Sequence, residues 1–357
     1  MVFNIQVLRA VAATLVVWIH AQELIDGQNI LPGWARQFGY GGVDLFFVIS
    51  GFIMVRTTQG KDISPLAFLK KRVIRIVPMY YFFTLSTMAV AMLVPQVFNS
   101  TSAEVSHVVK SLFFIPFEKS HERVYPLYYL GWTLNFEMLF YGVFSLSLFL
   151  VRPIRMLAVA AVLIALAGLG RSVENLTDHG VTAYFYTRPI LLDFAFGMFV
   201  AWLLPTSARI SNPAPWWCLL AVGTAWFILG GEAFPVATLP IAPITDTVLR
   251  FGVPSALIVA GAIGLELAGF RIGNTLMRRS GDASYSIYLS HYFFVAGVIV
   301  AADRLALGGF GRAVLLAVTM VAALAFGFIT YHLLERPLTG DFGIYRRIGR
   351  HLIQPEL

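Results

Sequence analysis

Residues 5–25 read IQVLRAVAATLVVWIHAQELI. The run is long enough to cross a hydrocarbon core, which takes about 20 predominantly apolar residues in a helix. Two ionisable side chains, Arg9 and His20, interrupt it. A cleaved signal peptide is not expected here, because no basic segment precedes the run and no small-residue cleavage site follows it. Nine further apolar runs follow, at roughly 40–58, 76–96, 128–150, 156–171, 188–204, 216–231, 247–268, 283–301 and 313–333. Gly and Pro break those around 156–171 and 188–231. The runs are continuous rather than alternating, so they do not read as barrel strands. The expected fold is all-α: a polytopic membrane helix bundle of about ten transmembrane helices, one domain over 1–357 with no separate soluble domain.

Composition agrees. Hydrophobic residues make up 58% of the 357 and charged residues only 13%, where a soluble domain carries about 25% charge. So little charge cannot cover a soluble globule, and mean hydropathy is +0.75. Aromatic residues at 14% argue against disorder. The lone Cys218 rules out an intrachain disulfide framework and a multi-cysteine metal site. The net charge of +7 is read through the membrane rather than as a nucleic-acid footprint, because loop Lys and Arg set orientation. With ten spans both ends lie on one side, whose loops carry fifteen Lys and Arg against nine opposite; Arg9 and Arg56 lie inside spans. Both termini are therefore expected in the cytoplasm.

Charges inside a bilayer cost at least ~2.5–3.5 kcal/mol each at a helix centre, so they face protein or water and mark function. Arg9, His20, Asp44, Glu137 and His291 stand out; Arg56, Asp193 and Glu266 lie nearer span ends and can snorkel. Arg9 and His20 are eleven residues apart, which returns them to within ~20° of one helix face, roughly 16 Å apart along the axis. That suits a substrate threading the membrane, or two unrelated satisfied polar groups. Asp44 is expected near the depth of His20, where it either orients the imidazole or sits as a charge at a helix N-terminus. Glu137, in WTLNFEMLFY, falls near the midplane and needs a partner. His291, in SYSIYLSHYFF with Tyr288 beside it, reads as a ligand contact or a core histidine. At 64–75, SPLAFLKKRVIR places Lys70, Lys71, Arg72 and Arg75 before Pro78: a helix on anionic lipid, or an anchor for a phosphorylated ligand, to which Arg278 and Arg279 can add. No GxxxxGK loop is present, which excludes a P-loop ATPase. Glycines 39, 41, 42 and 51 bracket the second run and serve close helix packing, within the chain or in a homodimer.

LRAVAATLVVWIH, GGVDLFFVISGFIM, KRVIRIVPMYY, WTLNFE, SYSIYLSH and ERP at Glu335–Pro337, in that order over about 4–337, resemble the acyltransferase-3 family of integral membrane acyltransferases, the succinoglycan-type exopolysaccharide O-acetyltransferases in particular. The resemblance implies transfer of an acyl group, usually acetyl from acetyl-CoA on the cytoplasmic side, to a hydroxyl of a glycan or lipid-linked oligosaccharide in a bacterial inner membrane. Polysaccharide-synthesis machinery and membrane lipids would be its partners. It puts the family's essential arginine and histidine on Arg9 and His20, its basic motif on Arg72 and Arg75 and its acidic position on Glu137. Many relatives carry an additional hydrolase-like domain, and this chain ends at Leu357 without one, so acceptor capture is expected of the membrane domain.

Together these give one expected mechanism. The nucleotide of the donor docks on Lys71, Arg72, Arg75 and Arg279, and its arm runs past Arg9 and Glu137. Trp132, Tyr288 and His291 contact the ligand. His20, oriented by Asp44, is the general base. Trp132 or Asn135 supplies the oxyanion donor. An acyl-His20 or acyl-Ser50 intermediate is the alternative route. Two other classes compete: a carrier of a glycan, lipid or anion, for which no inverted repeat is seen, and a non-catalytic organiser of a polysaccharide synthase.

Overall fold

The computed structural model of the protein describes residues 3–25, 31–94, 104–120, 123–170, 180–205, 210–233, 248–302 and 307–339. Among the described residues, ten helices of 12 or more residues stand on the ten apolar runs, in order: α1 Phe3–Ala21, α2 Gly42–Thr58, α3 Pro65–Leu93, α4 Gly131–Ser147, α5 Arg152–Leu169, α6 Leu192–Leu203, α7 Ala214–Ala233, α8 Val253–Leu267, α9 Ser284–Ala302 and α10 Gly309–Thr330. Among the described residues, seven helical stretches, those of α1, α2, α3, α5, α8, α9 and α10, are long and apolar enough to cross a membrane. α4 has 17 residues, and the apolar stretches Pro189–Leu203 and Ala214–Gly230 are also short. Both chain ends, with Arg171, Arg209, Arg304, Arg346, Arg347 and Arg350 of the charge count, lie outside the described residues.

Two boundaries differ from expectation. The basic segment is not a separate interfacial helix: α3 runs unbroken for 29 residues through Pro78. The Ser64 side chain accepts the Ala67 N–H at 3.2 Å and Pro65 fills the first turn, so the helix starts early. Lys71, Arg72 and Arg75 are thereby carried on the same rod that enters the bundle. The second run starts earlier than 40, because a five-residue helix, Gly33–Gln37, and a 3₁₀ turn, Phe38–Gly41, lead straight into α2, so that the helical stretch covers Gly33–Thr58.

α2 and α6 pack backbone to backbone, and two glycines explain it. A Cβ on Gly197 would lie 1.8 Å from the Val48 carbonyl oxygen, and one on Gly51 would lie 2.1 Å from that of Phe194. The backbones touch because neither position has a side chain. The Gly41–Gly42 pair is likewise used inside the chain, against Phe227 and Phe251 and against the Ala12 carbonyl, so it gives no argument for a homodimer. Large apolar side chains on the outer helices, such as Leu93, Leu157, Phe310, Val321 and Leu333, are exposed; they form the lipid-facing girdle of an integral membrane protein. Between α3 and α4 lie a short helix, Val105–Leu112, and a small hairpin, Glu118–Ser120 with Arg123–Val124. The Tyr80 and Tyr81 hydroxyls hold that helix by donating to the carbonyls of Ser111 and Leu112, at 3.1 and 2.9 Å.

Candidate active site

α1, α2, α3, α4 and α9 enclose a cavity of about 460 Å³. At one end its wall holds Lys71, Arg72, Arg75 and Asp282. Midway come Arg9, Ser50, Glu137 and Tyr141; at the far end are Phe46, Thr133 and Tyr288. The expected column of charges past α1 and α4 is therefore present. Arg9 donates to the Gln6 side-chain oxygen at 3.0 Å and forms no ion pair with Glu137; both charges face the space between the helices. Arg72 lies over the Phe68 ring at 5.4 Å, and its Nε is buried with no protein partner, as is the Ser284 hydroxyl in the same wall. Unpaired buried donors are costly, so a wall that keeps a guanidinium N–H free suits an anionic, hydrogen-bonding ligand. Among the described residues no three His, Cys, Asp or Glu side chains gather as metal ligands do.

Several expected site residues are elsewhere. The Arg75 guanidinium meets the Glu335 carboxylate at 2.5 Å, and Glu335 is fully buried, also accepting from the Ser286 N–H at 3.1 Å and its hydroxyl at 2.6 Å. Arg75 thus ties α3 to the π turn after α10, while its partly exposed side chain also lines the cavity beside Lys71 and Arg72. Arg279 is exposed and in neither cavity wall; Arg278, one residue earlier on the short helix Thr275–Asp282, lines a second cavity. Trp132 and Asn135 do not line the cavity, whereas Thr133, Leu134, Glu137 and Tyr141 do. At 100° per residue Trp132 stands about 140° from Glu137 on α4, and it packs on Phe136.

Asp44 does not orient His20. Gly42, two residues before it, abuts the Ala12 carbonyl and Val16, so the carboxylate sits well below His20 on α1. It is buried against the Asp193 carboxyl of α6. Asp193 is fully buried rather than snorkelling. Glu266, also expected at a span end, accepts the first N–H groups of α1, from Phe3 at 2.8 Å and Asn4 at 2.6 Å.

The partner of His20 is His291, 271 residues away, with Nε2 of His291 at 3.1 Å from Nδ1 of His20. Each ring also back-bonds to the carbonyl one helical turn earlier: His20 Nδ1 to Val16 at 2.9 Å and His291 Nδ1 to Ile287 at 3.1 Å. A carbonyl only accepts, so both Nδ1 atoms carry hydrogen. His291 Nε2 is then the acceptor of a shared Nδ1–H from His20. The chain of three bonds leaves His20 Nε2 without a hydrogen, in the tautomer a proton acceptor needs. Tyr129 and Tyr292 approach His20 edge-on, at 6.0 and 5.3 Å between ring centroids, and all three rings are half-buried. His20 itself is not in the cavity wall; Tyr288 is, its hydroxyl 2.7 Å from the Thr133 hydroxyl and donating to the Leu130 carbonyl at 3.0 Å.

The model of an acyltransferase domain, acyltransferase-3, matches residues 2–332. The chain belongs to the acyltransferase-3 family. The chain is 39% identical over 306 residues to the exopolysaccharide production protein ExoZ of Rhizobium meliloti (strain 1021), covering 84% of this acyltransferase and 89% of the relative. It is 27% identical over 356 residues to BcsY of Komagataeibacter xylinus, which its name marks as a candidate membrane-bound transacylase, covering 93% and 82%. No solved structure gives a significant match. This acyltransferase is therefore an integral membrane enzyme whose charged cavity and paired histidines lie within the matched domain.

Besides the His20–His291 pair, two features of the site were not expected from the sequence. The Arg75–Glu335 pair joins two motifs 260 residues apart; the signal was present, since ERP supplies an acid at the end of the last apolar run. The Tyr288–Thr133 contact had no signal beyond two hydroxyls on adjoining spans.

Proposed function

We propose that this chain is an O-acyltransferase that moves an acyl group, acetyl first, from acyl-CoA to a hydroxyl of an exopolysaccharide or its lipid-linked precursor. The observation that carries the reading is the His20–His291 pair, whose two backbone bonds leave His20 Nε2 as an acceptor. The basic end of the cavity faces the cytoplasm of a bacterial inner membrane and admits the donor. Lys71 and Arg72 meet its phosphates, and its arm passes Arg9 and Glu137 toward Tyr288. Transfer requires the cavity to open past its Tyr288 end, so that the acyl carbonyl comes to lie between the Tyr288 hydroxyl and His20. His20 Nε2 takes the proton of the acceptor hydroxyl while the oxygen attacks the carbonyl carbon. The Tyr288 hydroxyl turns its hydrogen to the developing oxyanion. The C–S bond then breaks, and the departing thiolate takes the proton back from the imidazolium. The half-buried Tyr129 and Tyr292 rings beside His20 offer flat faces to a sugar from the other side. The name of ExoZ supports an exopolysaccharide acceptor, and that of BcsY supports acyl transfer at a membrane.

The test is release of CoA from acetyl-CoA by purified protein with polysaccharide, with the product read by mass spectrometry. Acceptor-dependent thiol release and an ester on the glycan are expected. Absence of both with acetyl-, succinyl- and longer acyl-CoA refutes the proposal, and acceptor flux without thiol release points to a carrier instead.

A further inference from the structure

A second cavity, of about 360 Å³, opens beside the first and is lined by Phe3, Gln6, Glu266, Arg271, Thr275, Arg278 and Asp282. Gln6 and Asp282 belong to both walls, so the two chambers are neighbours at the basic end of the bundle. The second is built, not incidental. Gly281 of the short helix packs on the Gln6 backbone so tightly that a Cβ would lie 1.9 Å from its carbonyl oxygen. Asn274 caps that helix by accepting the Met277 N–H at 2.9 Å, and Glu266 is fixed by the start of α1.

Charge separates the roles of the chambers. The first presents Arg9, Lys71, Arg72 and Arg75 against Glu137 and Asp282. The second holds two arginines and two carboxylates, with Arg278 and Asp282 paired at 3.5 Å. Phosphates favour the first chamber; the balanced walls of the second suit an uncharged polar ring. Arg271 makes no ion pair there and lies over the Phe3 ring at 5.5 Å, its side chain otherwise exposed. An exposed guanidinium plane backed by an aromatic ring is a platform on which a nucleobase stacks. The Thr275 hydroxyl and the carboxylate edge offer acceptors to an exocyclic amino group.

We propose that this second chamber binds the purine base of the nucleotide-bearing acyl donor, with Arg271 on Phe3 as its stacking surface. The inference rests on the reading that the donor is an acyl-CoA, and it adds a base site separate from the Lys71–Arg72 phosphate contacts.

The experiment is calorimetric titration of the full-length protein in detergent with CoA and with 4′-phosphopantetheine, which keeps the arm and one phosphate but lacks the nucleotide. Wild type is expected to bind CoA more tightly. Arg271→Gln should weaken CoA binding about five- to hundredfold, the range for loss of one base stack, and leave phosphopantetheine binding unchanged. Phe3→Leu should act in the same sense. If Arg271→Gln weakens both ligands equally, or neither, the base site is refuted while the donor reading stands. If wild type binds phosphopantetheine and CoA equally, the base site is likewise refuted. Failure of wild type to bind CoA at all overturns the donor reading and this inference with it.

Discussion

Arg75 is paired with a buried carboxylate, and that pairing has a measurable size. Its carboxylate partner, Glu335, is fully buried; one oxygen is ion-paired with Arg75 at 2.5 Å, and the other accepts from the Ser286 N–H at 3.1 Å and the Ser286 hydroxyl at 2.6 Å. Breaking a buried pair by removing one partner costs about 3–5 kcal/mol. The Arg75 side chain is 36% exposed, so water screens part of the loss and about 2–3 kcal/mol is the working figure for Arg75→Met. Glu335→Gln keeps acceptors for Ser286 and loses the charge, which puts it at about 1–2 kcal/mol. In a double-mutant cycle the two losses should overlap, because the combined variant leaves no isolated buried charge. The assay is thermal unfolding of purified protein in detergent, with CoA affinity measured in parallel. Arg75→Met should lower Tm by several degrees and change CoA affinity by less than about threefold. A variant with wild-type Tm and a tenfold loss of CoA affinity would refute the reasoning and restore Arg75 to the docking site.

Other outcomes follow from the geometry. Asp44→Asn should leave kcat within about threefold of wild type, because the side chain reaches Asp193 and not His20; a loss near the ~100-fold expected for a missing general base would contradict this. Tyr288→Phe should cut kcat about 100-fold with donor affinity unchanged, the usual size for one oxyanion donor; a change in donor affinity alone would show that the hydroxyl only binds. Gly197→Ala requires α6 to move more than 1 Å from α2, since its Cβ would lie 1.8 Å from the Val48 oxygen. It should destabilise by at least ~1–3 kcal/mol, while Gly142→Ala, with nothing within 4 Å, should not; equal melting curves would show the α2–α6 contact to be loose.

The helices were readable because the bilayer imposes a length: ten apolar runs predict ten helices, and these stand in order. The column of Arg9, Glu137, Lys71 and Arg72 was readable too, because a charge in lipid needs a reason. Pairings across the chain were not. Asp44 and His20 were matched by depth counted from a helix start at 40, and the helical turns over Gly33–Gly41 move that start back to Gly33, which carries Asp44 deeper than His20. The contacts His20–His291 and Arg75–Glu335 link residues more than 250 positions apart, and no local pattern encodes which buried groups meet. Trp132 was misplaced for a simpler reason: one residue along α4 turns a side chain by 100°, and Thr133 faces the cavity instead.

The central claim is that His20 accepts the proton of the attacking hydroxyl. Acyl-transfer rate and CoA affinity of His20→Ala, measured on the same folded preparation, test it most directly. The account predicts a rate lower by about 10²–10⁴ with CoA affinity unchanged, because the imidazole lies beyond the cavity wall that holds the donor. Transfer at close to the wild-type rate would contradict it.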